Sequence, residues 1–250
     1  MADDKGMLVS WTETNPGFDA ELREWFVREH IDERALDTPG FYRSRFYDAV
    51  DAKVEYFATY ETESHSVLTG EGYLERVGNQ TEWSLKVIPQ LAVLNRMTAR
   101  ITIDMMHGVG GAVAAVRFYP PQDTAGQNTL RTHLRDAVFA PMIKQQGVVG
   151  VSLAENMLDA ANATGAKARA LGGAMPVLEK VEWLAVIEAS TDQIVREAAQ
   201  AAFGPDVLKA QGVTDVPEIG LYIRLPVQFL MAWSVWWSTQ PVAADASASA

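Results

Sequence analysis

The chain has 250 residues, is 48% hydrophobic and carries a formal net charge of −11, enough to bury a substantial core as one large domain or two small ones. The acidic balance argues against nucleic acid or an anionic membrane as partners, since both recruit surplus Lys and Arg. The absence of cysteine excludes disulfides, thiolate metal sites and Cys nucleophiles.

MADDKGMLVS at the start has two acids and no apolar stretch of signal-peptide length, so the expected location is the cytoplasm. Residues 7–11 (MLVSW) form an apolar run suited to a buried strand, and Asn-Pro-Gly then marks a turn. In the helix that follows, Phe18, Leu22, Trp25, Phe26 and His30 recur at spacings of three and four and share one face, so His30 continues a buried stripe. Thr38-Pro39-Gly40 closes that helix. Strand 41–47 (FYRSRFY) places Arg43, Arg45 and Tyr47 on one face and Tyr42, Ser44 and Phe46 on the other. Strand 54–61 (VEYFATYE) follows. A helical region opens at Ser64 and runs through Leu74, the segment with Trp83, Val87 and Leu91 has mixed periodicity, and a strand is expected at 98–103. The order β-α-β-β-α-β is the split βαβ, or ferredoxin-like, unit.

After the Gly-rich connector 107–112 the same order begins again, with strand 113–119, helix 127–145, strands 148–154 and 180–188, helix 191–202 and strand 219–225. YFATYETES (56–64) matches WLAVIEAST (183–191), which aligns Glu61 with Glu188. Residues 157–176 are read as an inserted loop with one helical turn. The expected fold is therefore α+β, with ferredoxin-like units at 1–106 and 113–238 and a disordered tail at 239–250. The apolar run 225–237 holds 13 residues and falls short of the roughly 20 needed to span a bilayer.

The spacing Trp25-Phe26…Glu29-His30…Glu33-Arg34…Pro39-Gly40-Phe41, the YFATYE strand and the segment from Trp83 to Pro89 resemble the dimeric α/β-barrel superfamily, in particular its EthD-like group and related uncharacterised bacterial proteins. The resemblance covers residues 7–104. It implies that the two units close a pseudo-dimeric α/β barrel within one chain, with a small hydrophobic or aromatic molecule bound in the barrel cavity, and it leaves a further homodimer open. Cofactor-free monooxygenases, cyclases, dehydratases, lactone isomerases, haem-degrading enzymes and stress proteins share such barrels, so fold does not select a reaction.

His30 is the first candidate for chemistry, as a general acid/base held in an apolar pocket; a packed helix-end histidine is the plainer reading. Glu29 and Glu33 flank it and are expected in solvent. Tyr47 and Tyr60 could hold or polarise an oxygen, and Arg43 and Arg45 could bind a carboxylate or phenolate. Trp11, Trp83 and Phe26 could pack on a ring, as well as filling a core. The histidines show no i, i+4 pairing and there is no GxGxxG or GxSxG pattern, so no metal, nucleotide cofactor or hydrolase elbow is expected; one histidine would still suffice for haem. The leading expectation is a cofactor-independent lyase, dehydratase, cyclase or isomerase acting on a small aromatic or phenolic compound. A cofactor-free monooxygenase is the nearest alternative, and a non-catalytic ligand-binding or stress-response barrel is the reading from another class.

Overall fold

A computed structural model of the chain describes residues 4–225 apart from 36, 171–176, 211, 214 and 216. The first half runs β1 (Gly6–Thr14), α1 (Asp19–Trp25), a π-helical turn (Phe26–His30), α2 (Ile31–Ala35), β2 (Phe41–Asp51), β3 (Tyr56–Thr62), a 3-10 turn (His65–Thr69), α3 (Glu71–Gly78), α4 (Glu82–Val87) and β4 (Leu91–Met106). The second runs β5 (Ala112–Phe118), α5 (Thr124–His133), a second π turn (Leu134–Phe139), α6 (Ala140–Met142), β6 (Val148–Asn156), α7 (Leu158–Ala170), β7 (Trp183–Ala189), α8 (Asp192–Phe203), α9 (Pro205–Lys209) and β8 (Glu218–Arg224). The strands form a closed antiparallel barrel in the order β1-β3-β2-β8-β5-β7-β6-β4. Each half thus contributes its strands in the same order, fourth-first-third-second.

Closure explains why these strands read as nearly continuous apolar runs. Met7, Val9 and Trp11 of β1 face the barrel interior, while Leu8 faces the helices of its own half. Both faces are covered, so alternation between apolar and polar residues is muted. The same division places Phe57 inside and Tyr56, Ala58 and Tyr60 on the helix side of β3.

The expected loop at 157–176 instead carries the 13-residue helix α7 over its described part. The strand expected at 98–103 begins at Leu91 and has 16 residues. Its length has a topological cause: Leu91 to Arg100 pair with β1, and Ala99 to Met106 pair with β6. One strand closes a seam between the halves as well as completing its own sheet. The apolar run 225–237 lies outside the described residues from 226 onward.

Gly40 and Gly147 enter β2 and β6 with φ of 87° and 86°. A Cβ on Gly40 would come within 2.5 Å of Val67 Cγ2, and one on Gly147 within 2.5 Å of Ile194 Cδ1. Each turn needs glycine for its left-handed backbone and again for the side chain pressed against it.

Among the described residues, packed side chains line the interior of the barrel, where the sequence reading expected a ligand cavity. Trp11, Phe57 and Tyr47 lie side by side across three strands, with ring centroids 5.5 Å apart at both steps, and Tyr222 stacks on Phe57 at 5.0 Å. Eight strands leave a bore just wide enough for side chains to fill. At the other end Arg45 Nη1 donates to Glu188 Oε1 at 2.5 Å and to Glu61 Oε1 at 3.5 Å, and Arg43 holds Glu61 through two donors. Glu188 also accepts the backbone N–H of Gly110 at 2.8 Å. Burial pushes the Glu188 carboxyl up, and Arg45 pulls it back down.

Arg45, Glu61 and Glu188 are each almost wholly buried, so removing Arg45 leaves Glu188 without its cation while Glu61 keeps Arg43. Arg45→Met is expected to destabilise the protein by about 3–5 kcal/mol in urea denaturation. Glu188→Gln keeps the shape and removes one charge, and should cost clearly less. Equal losses for the two variants would show that charge balance is not what this network supplies.

Candidate functional site

The site is built on the first helix, and its geometry depends on the π turn. Leu22, Trp25 and Phe26 are buried against the outer face of the sheet, as their spacing predicts. In a regular α-helix Trp25 and His30 would point about 140° apart, at 100° per residue. Here the Ile31 N–H bonds to the Phe26 carbonyl, five residues back. The widened turn carries the His30 ring over Trp25, with centroids 4.1 Å apart and planes at 25°. The Trp25 indole N–H is fixed in turn by Ser84 Oγ at 3.2 Å.

His30 then faces a mostly apolar pocket between the helices and the sheet, lined by Leu8, Trp25, Phe26, Val77, Leu91 and Leu94 among others. Its polar groups are His30, Tyr60, Arg34, Arg96, Gln80, Ser10 and Thr12. The edge of the His30 ring meets Phe26 at 5.2 Å and Tyr60 at 5.9 Å between centroids. Among the described residues His30 Nδ1, the Tyr60 hydroxyl and Arg34 Nη1 are buried without a hydrogen-bond partner. The cavity measures about 60 Å³, room for about two waters at liquid density. Gln80, Ile88 and Arg96 are half-buried side chains of its lining.

Burial holds the His30 imidazole well below its usual range, and the fields of Arg34 and Arg96 push in the same direction. The His30 Nδ1 has no hydrogen-bond partner among the described residues. Burial raises the Tyr60 phenol, so this hydroxyl stays protonated and can donate. Glu33, expected in solvent, is 4% exposed, with Oε2 3.8 Å from His30 Nδ1 and Oε1 3.5 Å from Arg76 Nη1. That places a carboxylate behind the imidazole, beyond direct hydrogen-bonding distance. Burial raises the Glu33 carboxyl, and Arg34 and Arg76 oppose the shift.

The sheet divides the residues singled out in the sequence. His30, Tyr60 and Phe26 line this pocket. Trp11 and Tyr47 lie on the opposite face of the sheet, in the barrel core, and Arg43 and Arg45 are engaged there by Glu61 and Glu188. Trp83 is half-buried, donates its indole N–H to Glu21 at 2.9 Å, and is not in the lining. Sequence reasoning passed over Arg34 and Arg96 as site residues. Arg34 follows His30 by one helical repeat and could have been found from that spacing. Arg96 lies in the part of β4 that the sequence pattern did not assign to a strand.

Because protonated His30 is favoured in the unfolded chain over the folded one, stability should fall as pH drops below the unfolded value of about 6.5 and level off below the lower folded value. Glu33 and Glu188, shifted upward, act in the opposite sense over the carboxylate range. The comparison is therefore between wild type and His30→Gln. The variant should lose up to about 1.4 kcal/mol per pH unit of the acid-side slope in urea titrations; identical slopes would show that His30 does not carry it.

No family model and no curated protein sequence matches the chain. Solved structures do. An anthrone oxidase-like protein matches with a TM-score of 0.58 at 13% identity, over 89% of this chain and 92% of its own. A candidate monooxygenase from Lactobacillus acidophilus NCFM matches with a TM-score of 0.56 at 8% identity, over 89% and 94%. Chlorite dismutase from Candidatus Nitrospira defluvii, in complex with imidazole, matches with a TM-score of 0.51 at 8% identity, over 89% and 92%. These neighbours belong to the dimeric α/β-barrel superfamily, and none of them singles out the EthD-like group. At such identities the likeness is one of fold: the chain is an α+β protein with a closed eight-stranded antiparallel barrel.

Proposed function

We propose that the protein is a cofactor-independent oxygenase that oxidises an activated C–H or O–H group of a small aromatic compound in the pocket beside His30. The observation that carries this reading is the His30 imidazole in the lining of an apolar pocket, together with a buried phenol, Tyr60, whose hydroxyl has no partner among the described residues. Names of fold neighbours, an oxidase-like protein and a candidate monooxygenase, support oxidation over the lyase or isomerase chemistry expected from the sequence. Those two reactions share their first step, removal of a proton from carbon or oxygen, so the pocket serves either. The fold neighbours favour oxidation.

In this reading His30 takes the proton, and the substrate anion is stabilised by the Tyr60 hydroxyl and by the positive field of Arg34 and Arg96. The anion, being electron-rich, reduces dioxygen. For a methylene flanked by aromatic rings, one oxygen atom becomes the new carbonyl and the other leaves as water with the two hydrogens. Substrate supplies all four electrons and no external reductant is consumed. Trp25 and Ser84 hold the imidazole in place, and Glu33 favours the imidazolium once it forms.

We also read the chain as a tandem repeat whose halves act as a pseudo-dimer. The repeated strand order, the matching turns at Gly40 and Gly147 and the equivalent carboxylates Glu61 and Glu188 support it. The position equivalent to His30, counted from those glycines, is Ala137, so the acid/base group belongs to the first half.

With anthrone as the probe, purified protein should consume one dioxygen for each quinone formed, and His30→Gln should slow this by roughly 100-fold or more while unfolding at a temperature close to wild type. No oxygen uptake with anthrone or other activated aromatics, or an unaffected His30→Gln, would remove the reading. Product formed equally well without oxygen would return the assignment to proton-transfer chemistry.

A further inference from the structure

The pocket beside His30 contains two guanidinium groups, Arg34 and Arg96, and no carboxylate in its lining. This is unusual within this molecule, whose charge is −11. Arg43 and Arg45 are neutralised by Glu61 and Glu188, Arg117 by Glu182, Arg131 by Glu155 and Arg23 by Asp48. Among the described residues neither Arg34 nor Arg96 is within salt-bridge distance of a carboxylate. Glu33, adjacent to Arg34 in the chain, places its oxygens toward His30 and Arg76 instead.

Arg34 is 4% exposed and its Nη1 is buried with no partner among the described residues. Arg96 donates from Nη2 to the Tyr73 hydroxyl at 2.6 Å, a neutral acceptor that fixes the guanidinium without neutralising it. A buried cation with unsatisfied donors beside apolar surface is costly until an anion meets it. Guanidinium donors in a planar fork suit a planar, delocalised oxyanion. Trp25, Phe26, Leu91 and Leu94 supply the apolar wall for whatever carries that oxyanion.

We infer that the occupant of this pocket is an aromatic ring bearing an oxyanion, a carboxylate or a phenolate, with the oxyanion held by Arg34 and Arg96 and the ring against Trp25 and Phe26. The inference rests on the assignment of this pocket as the site and narrows its substrate class. It also moves anion recognition away from Arg43 and Arg45, where the sequence had placed it.

Calorimetric titration of the full-length protein near neutral pH tests this with two pairs of probes. Benzoate is compared with its neutral isostere benzamide, and 4-nitrophenol is compared above and below its own ionisation. The expected result is a preference of about tenfold or more for the anion in at least one pair. A preference for benzoate alone identifies a carboxylate ligand, and one for nitrophenolate alone a phenolate. Arg96→Gln, at a half-buried position, should abolish the preference while leaving the thermal unfolding temperature close to wild type. Arg117→Gln, outside the pocket, should leave the preference intact. Equal affinity within both pairs, no binding of any probe, or a preference that survives both Arg96→Gln and Arg34→Gln would overturn the inference. Anion selectivity without oxygen uptake would leave it standing and remove the oxygenase reading. Oxygen uptake on neutral aromatics without anion selectivity would do the reverse.

Discussion

Arg45 and Glu188 are separated by 143 positions in the chain and meet at 2.5 Å inside a closed barrel. The contact exists only because β2 pairs with β8 and β4 with β6, so that the two sheets become one continuous wall. Burying such charges is costly, and the arrangement is tolerated because the groups neutralise one another: Arg43 and Arg45 against Glu61 and Glu188. Much else in the molecule follows from that wall. The bore is packed by this network at one end and by Trp11, Tyr47, Phe57 and Tyr222 at the other, and the pocket beside His30 lies on the outer face, under the helices.

On that outer face, helix geometry governs the chemistry. A regular helix would have turned His30 away from Trp25, and the π turn brings the two rings together. The second half has a π turn in the corresponding helix, Leu134–Phe139, yet its surroundings are packed by Leu130, Leu134, Phe139 and Phe203. Similar backbone irregularities therefore serve different ends in the two halves. One leaves space beside a titratable ring, and the other closes a core.

The two faces of the sheet also treat arginine differently. Inside the barrel every guanidinium named above has a carboxylate, and the result is a neutral, structural network. In the outer pocket Arg34 and Arg96 face an imidazole and a phenol. Burial and their field push the His30 imidazole below its usual range. Position relative to the sheet decides which arginine is scaffold and which is available.

The sequence by itself determined the α+β class, the repeated element order, the turn at Gly40 that closes the first helix, and the placement of His30 near a buried stripe. Those features are local: hydrophobic period, turn residues and spacing act within a few residues of one another. Only the tertiary structure decided which face of each strand became the bore. Alternation in FYRSRFY shows that Arg43, Arg45 and Tyr47 share a face, and it carries no sign that this face points inward toward Glu61 and Glu188. Nor could α-helical spacing show the π turn that sets His30 over Trp25, or the length of β4 that brings Arg96 to the pocket. These depend on pairings between residues far apart in the chain, and closure of the barrel is what fixes them.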